Sequence, residues 1–305
     1  MSTDFAPIVV FGFNRPGHLK RALVSLEMNP EAKFSELYIF IDGPRTASEL
    51  QRVEECRVVA KLTKGFKNTI LYFSESNLGL ANSIMNGVSK VLKESDSVIV
   101  VEDDLEVSPN FLRFMNMGLM KYRDRNNISA VHGYQYPIKV NFDQCVFLKG
   151  ADCWGWATWR DRWSGFEPDG QKLLNQLRVK GLCKEFNLEN SLKNSDLLEN
   201  QIAGKIDSWA IRWHASMFLQ NRMGVYPPES LVLNLGLDGS GTHEIKSVLF
   251  KTQLSSQSSW IMPEDITDSV EYRKALISYF KSEFKSSKKR RLVRKFRKTF
   301  KMWSK

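Results

Sequence analysis

Through its first 130 or so residues the chain alternates short apolar runs with longer segments of helical periodicity, the pattern of a mostly parallel sheet flanked by helices. Pro7-Ile8-Val9-Val10-Phe11-Gly12-Phe13 reads as a buried strand, broken by Asn14-Arg15-Pro16-Gly17 and followed by a helical stretch from His18 to Met28. Leu37-Tyr38-Ile39-Phe40-Ile41 is a second strand, ending in Asp42-Gly43-Pro44, and a helical stretch covers about Glu49 to Leu62. Thr69-Ile70-Leu71-Tyr72-Phe73 is a third, after which Asn77-Leu78-Gly79 turns the chain into a helix from about Leu80 to Lys93. The fourth, Ser97-Val98-Ile99-Val100-Val101, is apolar enough to expect cover on both faces, and it ends in Glu102-Asp103-Asp104. Four strands ending in polar or glycine-containing turns put a ligand site at the carboxyl edge of the sheet.

From about His132 the alternation fades and tryptophan becomes dense: Trp154, Trp156, Trp159, Trp163, Trp209 and Trp213. No internal repeat is visible, so the second half is expected to complete the sheet and wall the site. The composition, 42% hydrophobic and 26% charged over 305 residues, is that of a globular protein and excludes disordered and collagen-like classes. No apolar run approaches bilayer length, and Met1 to Pro7 has neither a basic n-region nor a long apolar h-region, so a cytoplasmic chain is expected. Cys56, Cys145, Cys153 and Cys183 have no CxxC spacing and no grouped histidine, which points to free thiols in a reduced compartment.

The net charge of +10 is local. Residues 281–305 carry twelve Lys/Arg against one acid, Glu283, which leaves the first 280 residues at −1. Basicity therefore belongs to an appendage and not to the surface around the strand ends.

Three adjacent carboxylates at the end of an apolar strand repel one another unless something positive neutralises them. A hard divalent cation, Mn²⁺ or Mg²⁺, does so with one or two carboxylates plus phosphate oxygens and water. An acidic pair also caps helices, but Ser108 is placed to cap the next helix, with Pro109 at its first position, which leaves the triplet without that task.

The segment Val100-Val101-Glu102-Asp103-Asp104-Leu105-Glu106-Val107-Ser108-Pro109-Asn110-Phe111 resembles the metal-binding segment of the inverting β-1,2-N-acetylglucosaminyltransferase I family and its bacterial relatives, and more generally the GT-A fold with its D-x-D type motif. The resemblance extends more loosely over residues 7–245. It implies a Rossmann-like GT-A domain over residues 1–265, with a nucleotide-binding half over about 1–130 and an acceptor or lid half over about 131–265; the charge pattern marks residues 266–305 as a basic amphipathic tail. On the same resemblance Arg15 contacts the diphosphate or uracil carbonyls, Asp42 the uracil ring, and Asn77 the region of base and ribose. Asp103 meets the ribose, Asp104 binds the metal, and Glu102 is a supporting acid. Lys205-Ile206-Asp207-Ser208-Trp209 is similar to the segment that carries the catalytic base, which implies that Asp207 deprotonates the acceptor hydroxyl. The family has two adjacent acids before the Trp, whereas Ser208 stands at the second here.

The implied activity is an inverting transfer of N-acetylglucosamine or another hexose from a UDP-sugar to a hydroxyl of a glycan or lipid-linked acceptor in surface polysaccharide synthesis. A sugar-phosphate nucleotidyltransferase is the competing enzyme, although Gly12-Phe13-Asn14-Arg15-Pro16-Gly17 makes a poor phosphate loop; a non-catalytic carbohydrate- or membrane-binding scaffold is the other alternative. Trp156, Trp159 and Trp163 recur at helical spacing, which fits core packing as well as a sugar platform, and the family's Gly-x-Trp segment favours Trp154 or Trp156 beside the donor. His214 reads as a core histidine, while His243, in the glycine-bearing loop Asp238 to His243, is either a late metal or phosphate ligand or a solvent-facing loop residue.

In the tail, Leu292, Val293, Phe296, Phe300 and Trp303 share one helical face with Arg294, Lys295, Arg297, Lys298 and Lys301 around the rest. That arrangement suits a helix lying on an anionic membrane, at the inner face of the cell membrane; a disordered basic tail is the plainer alternative. No zinc finger, helix-turn-helix or RNP motif supports nucleic acid as the partner.

Overall fold

The computed structural model describes residues 5–236 and 250–283. In chain order the first half runs β1 (Ile8–Gly12), α1 (Pro16–Glu27), β2 (Glu36–Ile41), α2 (Leu50–Leu62), β3 (Asn68–Phe73), α3 (Leu80–Glu94) and β4 (Ser97–Glu102). The second half runs β5 (Leu105–Val107), α4 (Phe111–Lys121), β6 (Ile128–His132), β7 (Val146–Lys149), β8 (Trp156–Trp159), α5 (Arg160–Trp163), α6 (Gly170–Val179), α7 (Cys183–Phe186), α8 (Asn194–Ile202), α9 (Trp209–Leu219), β9 (Met223–Tyr226) and β10 (Val232–Asn234). Eight strands form one sheet in the order β3-β2-β1-β4-β8-β6-β9-β7, with β8 and β7 antiparallel to their neighbours and the other pairings parallel. The fold class is the α/β, mostly parallel sheet flanked by helices that the apolar pattern predicts.

The continuous apolar runs are explained by two-sided cover. Ile8 and Val10 pack with Ile39, Ile99, Val101 and Leu23 of α1, whereas Val9 and Phe11 pack with Val98, Val100 and the Ile84–Val88 face of α3. Strand order reverses between β1 and β4, since β2 and β3 lie on one side of β1 and β4 on the other. That reversal opens a crevice at the carboxyl ends of β1 and β4, the usual binding position in such sheets.

Four expectations need correction or refinement. Trp156, expected beside a sugar donor, is fully buried on β8 opposite Val100, with its ring 5.3 Å from Trp209, 5.6 Å from Trp213 and 5.8 Å from Trp163. Strand geometry sends it into the layer under α9, so it is core. Ser108 does not begin the helix: α4 starts at Phe111 with Asn110 at the cap. The buried Ser108 hydroxyl donates instead to the Ser255 carbonyl at 2.7 Å and accepts weakly from Asn110 N–H at 3.3 Å. Leu105-Glu106-Val107, which the pattern leaves unassigned, forms β5 and pairs antiparallel with β10.

Residues 266–283, grouped by sequence with the tail, pack on the body. A helix over 270–283 buries Tyr272, Leu276 and Phe280 against Val146 and Tyr226, and the Tyr272 hydroxyl donates to Gln135 Oε1 at 2.7 Å. The remaining tail residues from 284 onward, and His243, lie outside the described residues. Among the described residues no helix is long and apolar enough to cross a membrane. All four cysteines are free thiols.

Removing the Trp156 side chain empties a large volume that the three neighbouring indoles cannot refill. Trp156→Ala is expected to cost about 3–5 kcal/mol in urea unfolding. Because the buried indole Nε1 has no hydrogen-bond partner, Trp156→Phe loses packing only and is expected to cost less.

Candidate active site

At the strand-order reversal, β1 and α1 are joined by a short turn in which Arg15 occupies the N-cap position of α1. No acid stands in the first turn of that helix, so Arg15 turns to the opposite strand end. Its Nη2 donates to Asp103 Oδ1 and, at 3.0 Å, to Asp104 Oδ2. The three side chains are 20%, 6% and 18% exposed, so the cluster is enclosed but reachable. Burial works against the Arg15 charge, but the two carboxylates outweigh it and hold its pKa above the ordinary value. Burial raises Asp103 to about 6, against the pull of Arg15, and raises Glu102 to about 8 with repulsion from Asp104 and Asp103 added. A proton or an added cation therefore relieves this cluster.

The donor set fits a divalent cation of the Mg²⁺ or Mn²⁺ kind. Asp103 and Asp104 each aim one oxygen at a single nitrogen, so two carboxylates converge on a point that a positive group already occupies. No group of three or more His, Cys, Asp or Glu gathers among the described residues. A Mg²⁺ or Mn²⁺ ion here would take its other ligands from water and substrate phosphate oxygens. Gly236 lies against this point: a Cβ there would stand 2.2 Å from Asp104 Oδ2, and Leu235 N–H donates to the Asp104 carbonyl at 2.8 Å. A larger residue there would push the Asp104 carboxylate from this position.

A second cluster forms one strand over. Asp42 follows β2, where its N–H donates to the Gly12 carbonyl at 3.0 Å. Its Oδ1 accepts from the N–H of Gly43 and Leu78, and its Oδ2 from Gly79 N–H and Asn77 Nδ2, all within 2.8–3.0 Å. Asn77 Nδ2 also donates to the Gly43 carbonyl at 2.8 Å. Those four donors use all of the roughly four acceptor positions of a carboxylate. Asp42 and Asn77 thus hold the 77–79 turn in shape, and Gly43 permits it, since a Cβ there would meet the Ser76 backbone at 2.5 Å.

Asp207, distant in sequence, is brought to this same turn. Its Oδ2 accepts from Ala81 N–H at 3.2 Å, at the start of α3, and lies 3.0 Å from where Gly79 would carry a Cβ. The side chain is exposed, and Ser208 beside it caps α9 by accepting from Ile211 N–H. Arg15, Asp103 and Asp104 therefore meet at the strand-order reversal, and Asp42, Asn77 and Asp207 meet at the head of α3.

Sequence reasoning missed Asp152 and Cys153, in a turn bracketed by the positive-φ residues Gly150 and Gly155. Asp152 accepts from the Tyr136 hydroxyl at 2.6 Å and from Cys153 N–H at 2.7 Å. Burial first, then Asp152, Glu102 and Asp104, push the Cys153 thiol well above its ordinary value. The turn leads into β8, whose Trp156 pairs with Val100 two residues before Glu102. The paired glycines, which allow a tight loop between β7 and β8, were the available signal. His214 accepts the core role expected of it in part: its Nδ1 meets the Ala151 carbonyl at 2.8 Å and its ring packs on Phe186.

His132, under the same turn, is fully buried, and burial lowers its pKa to about 4. A base depressed in the folded state contributes stability that is complete above its ordinary pKa of 6.5 and is lost as pH falls through about 4. Glu102 and Asp103 act in the opposite sense, so the test is a difference. The melting-temperature advantage of wild type over His132→Asn is expected to shrink steadily from pH 7 to pH 4.

No family model matches the sequence, and no curated protein matches it. Among solved structures the chain is similar to mannosyltransferase PcManGT from Pyrobaculum calidifontis in complex with GDP-Man and Mn²⁺, at 14% identity over 44% of this chain and 37% of that one, with a TM-score of 0.33. It is similar to S. aureus TarS at 18% identity over 48% of this chain and 24% of that one, with a TM-score of 0.30. It is also similar to glucosyl-3-phosphoglycerate synthase from Mycobacterium tuberculosis in complex with Mn²⁺, UDP and glucosyl-3-phosphoglycerate, at 12% identity over 58% of this chain and 67% of that one, with a TM-score of 0.34. The chain thus spans well under half the length of the first two. What defines the class here is the chain's own geometry: an α/β protein with two carboxylates bridged by Arg15 at the strand-order reversal of its sheet.

Proposed function

We propose that this chain is a metal-dependent, inverting glycosyltransferase of the GT-A kind that takes a UDP-sugar, with N-acetylglucosamine or another hexose as the transferred unit. The observation that carries the reading is the convergence of Asp103 and Asp104 on one cationic nitrogen at the carboxyl ends of β1 and β4. The resemblance of the segment Val100 to Phe111 to a D-x-D metal-binding segment supports it.

Asp104, with Asp103 beside it, would hold Mn²⁺ or Mg²⁺, which supplies Lewis-acid stabilisation of the leaving diphosphate. Arg15, released from the carboxylates, pairs with diphosphate oxygens, a bidentate match for its fork. Asp42 and Asn77 fix the 77–79 turn near the nucleoside. Asp207 accepts the proton of the acceptor hydroxyl as that oxygen attacks the anomeric carbon and the bond to diphosphate breaks with inversion. His243 is a candidate additional ligand to the metal or phosphate. The acceptor is a glycan or lipid-linked saccharide at the inner face of the cell membrane, where residues 281–305 lie on anionic lipid and no nucleic acid is involved.

A thermal-shift screen of nucleotide sugars with and without Mn²⁺ tests the donor. A ligand that binds only the folded chain raises its melting temperature, by an amount set by concentration over Kd. UDP-sugars are expected to do so in Mn²⁺ and not in EDTA. Equal shifts in EDTA, or none with any nucleotide sugar, count against the reading.

A further inference from the structure

A cavity of about 220 Å³ is lined by β7, β9, α7, α8, α9 and the 270–283 helix. Ser208, the neighbour of the proposed base Asp207, lines it, and so does Cys153, three residues before Trp156, which pairs across the sheet with Val100 on the strand that ends in Glu102. The cavity therefore touches both the segment that bears the proposed base and the turn leading into the strand paired with β4. Resting on the glycosyl-transfer reading above, we propose that it is the acceptor pocket and that its occupant is an uncharged pyranose unit of a saccharide.

The wall chemistry selects that class. Leu148, Leu188, Leu192 and Leu276, with the edges of Phe186 and Phe218, make most of the wall apolar and give the C–H face of a pyranose a surface to pack on. Between them stand Asp152, Lys149, Glu185 and Arg273, which an alkyl chain would have to desolvate without return. Lys149 Nζ pairs with Glu185 Oε1 at 3.2 Å, and Arg273 pairs with Asp268 at 2.5 Å and reaches Glu185 at 3.8 Å. The cations are already matched by carboxylates, and with Asp152 counted these five groups sum to −1, so an anionic head group finds no surplus positive charge. Asp152 accepts from the Tyr136 hydroxyl and from both the N–H and the thiol of Cys153, which fills three of its roughly four acceptor positions and leaves one for a sugar hydroxyl. Mostly apolar walls with a few placed polar groups are the general character of small-ligand pockets.

The test is saturation-transfer NMR on the full chain in UDP with diamagnetic Mg²⁺ as the divalent ion. The probes are methyl glucoside, galactoside, mannoside and N-acetylglucosaminide, all as pyranosides, with 1-octanol and inorganic phosphate as comparators. At least one pyranoside is expected to bind and to compete with the others. Asp152→Ala should weaken it at least tenfold. Leu197→Trp should do the same by narrowing the cavity from a side chain that is 45% exposed and so tolerates replacement. UDP affinity, measured by titration in both variants, should stay within twofold of wild type, which shows that the variants fold. Binding of octanol or phosphate with no pyranoside binding overturns the proposal, as does pyranoside binding that both variants leave unchanged. Loss of UDP binding in wild type would instead strike the donor reading, so the two failures are separable.

Discussion

Asp104→Asn is expected to lower metal-dependent turnover of the UDP-sugar by about a thousandfold, the scale on which a site loses one preorganised electrostatic contact to a developing charge. The substitution keeps the side-chain volume and removes one of the two oxygens that converge beside Arg15. Mn²⁺ affinity should fall, seen as a rightward shift in the metal dependence of UDP release. Folding should not suffer. Arg15 keeps its bond to Asp103, and removing the Asp104 charge relieves the repulsion that helps raise Glu102 to about 8. The metal-free variant is thus expected to melt at or above the wild-type temperature near pH 8. A large fall in melting temperature would mean that Asp104 is structural, and unchanged turnover would remove it from the metal site.

Asp207→Asn is expected to reduce transfer to acceptor by about 10²–10⁴-fold, the usual contribution of a positioned general base. Asparagine retains an oxygen able to accept from Ala81 N–H, so the head of α3 stays capped while basicity is lost. Asp207→Ala removes both and should cost about 1 kcal/mol of stability in addition. UDP affinity in Mn²⁺ should be alike in wild type and Asp207→Asn. If the asparagine variant transfers at the wild-type rate, the carboxylate is a cap for α3 and nothing more. Equal activity loss and stability loss in both variants would point the same way.

The parts of this fold that were legible are those in which local sequence and final environment agree. β1 and β4 are buried on both faces, so their apolar runs announce them, and their carboxyl ends announce the crevice. Arg15, Asp103 and Asp104 were each legible as polar residues at strand ends. That one guanidinium bridges both carboxylates depends on the parallel pairing of β1 with β4, which only the folded chain displays. β5 and β10 have three residues each and no periodicity to read; their pairing spans more than a hundred residues. Insertion of antiparallel β8 between β4 and β6 is likewise a long-range outcome. It also explains Trp156: a Gly-x-Trp segment reads equally well as platform or core, and burial under α9 decides for core. Asp42 shows a different limit. An acid at the end of β2 was visible, but four internal donors to it were not. Asp152 was hidden because its environment comes from Tyr136, His132 and the helices beyond.

The most direct measurement is release of UDP by the purified full chain from a panel of UDP-sugars, followed by mass spectrometry in Mn²⁺ and in EDTA. Release from at least one sugar in Mn²⁺, suppressed by EDTA and by Asp104→Asn, is the expected result. Release that persists in EDTA, or a chain that neither binds nor cleaves any member of the panel, would contradict the assignment of Asp104 to a catalytic metal.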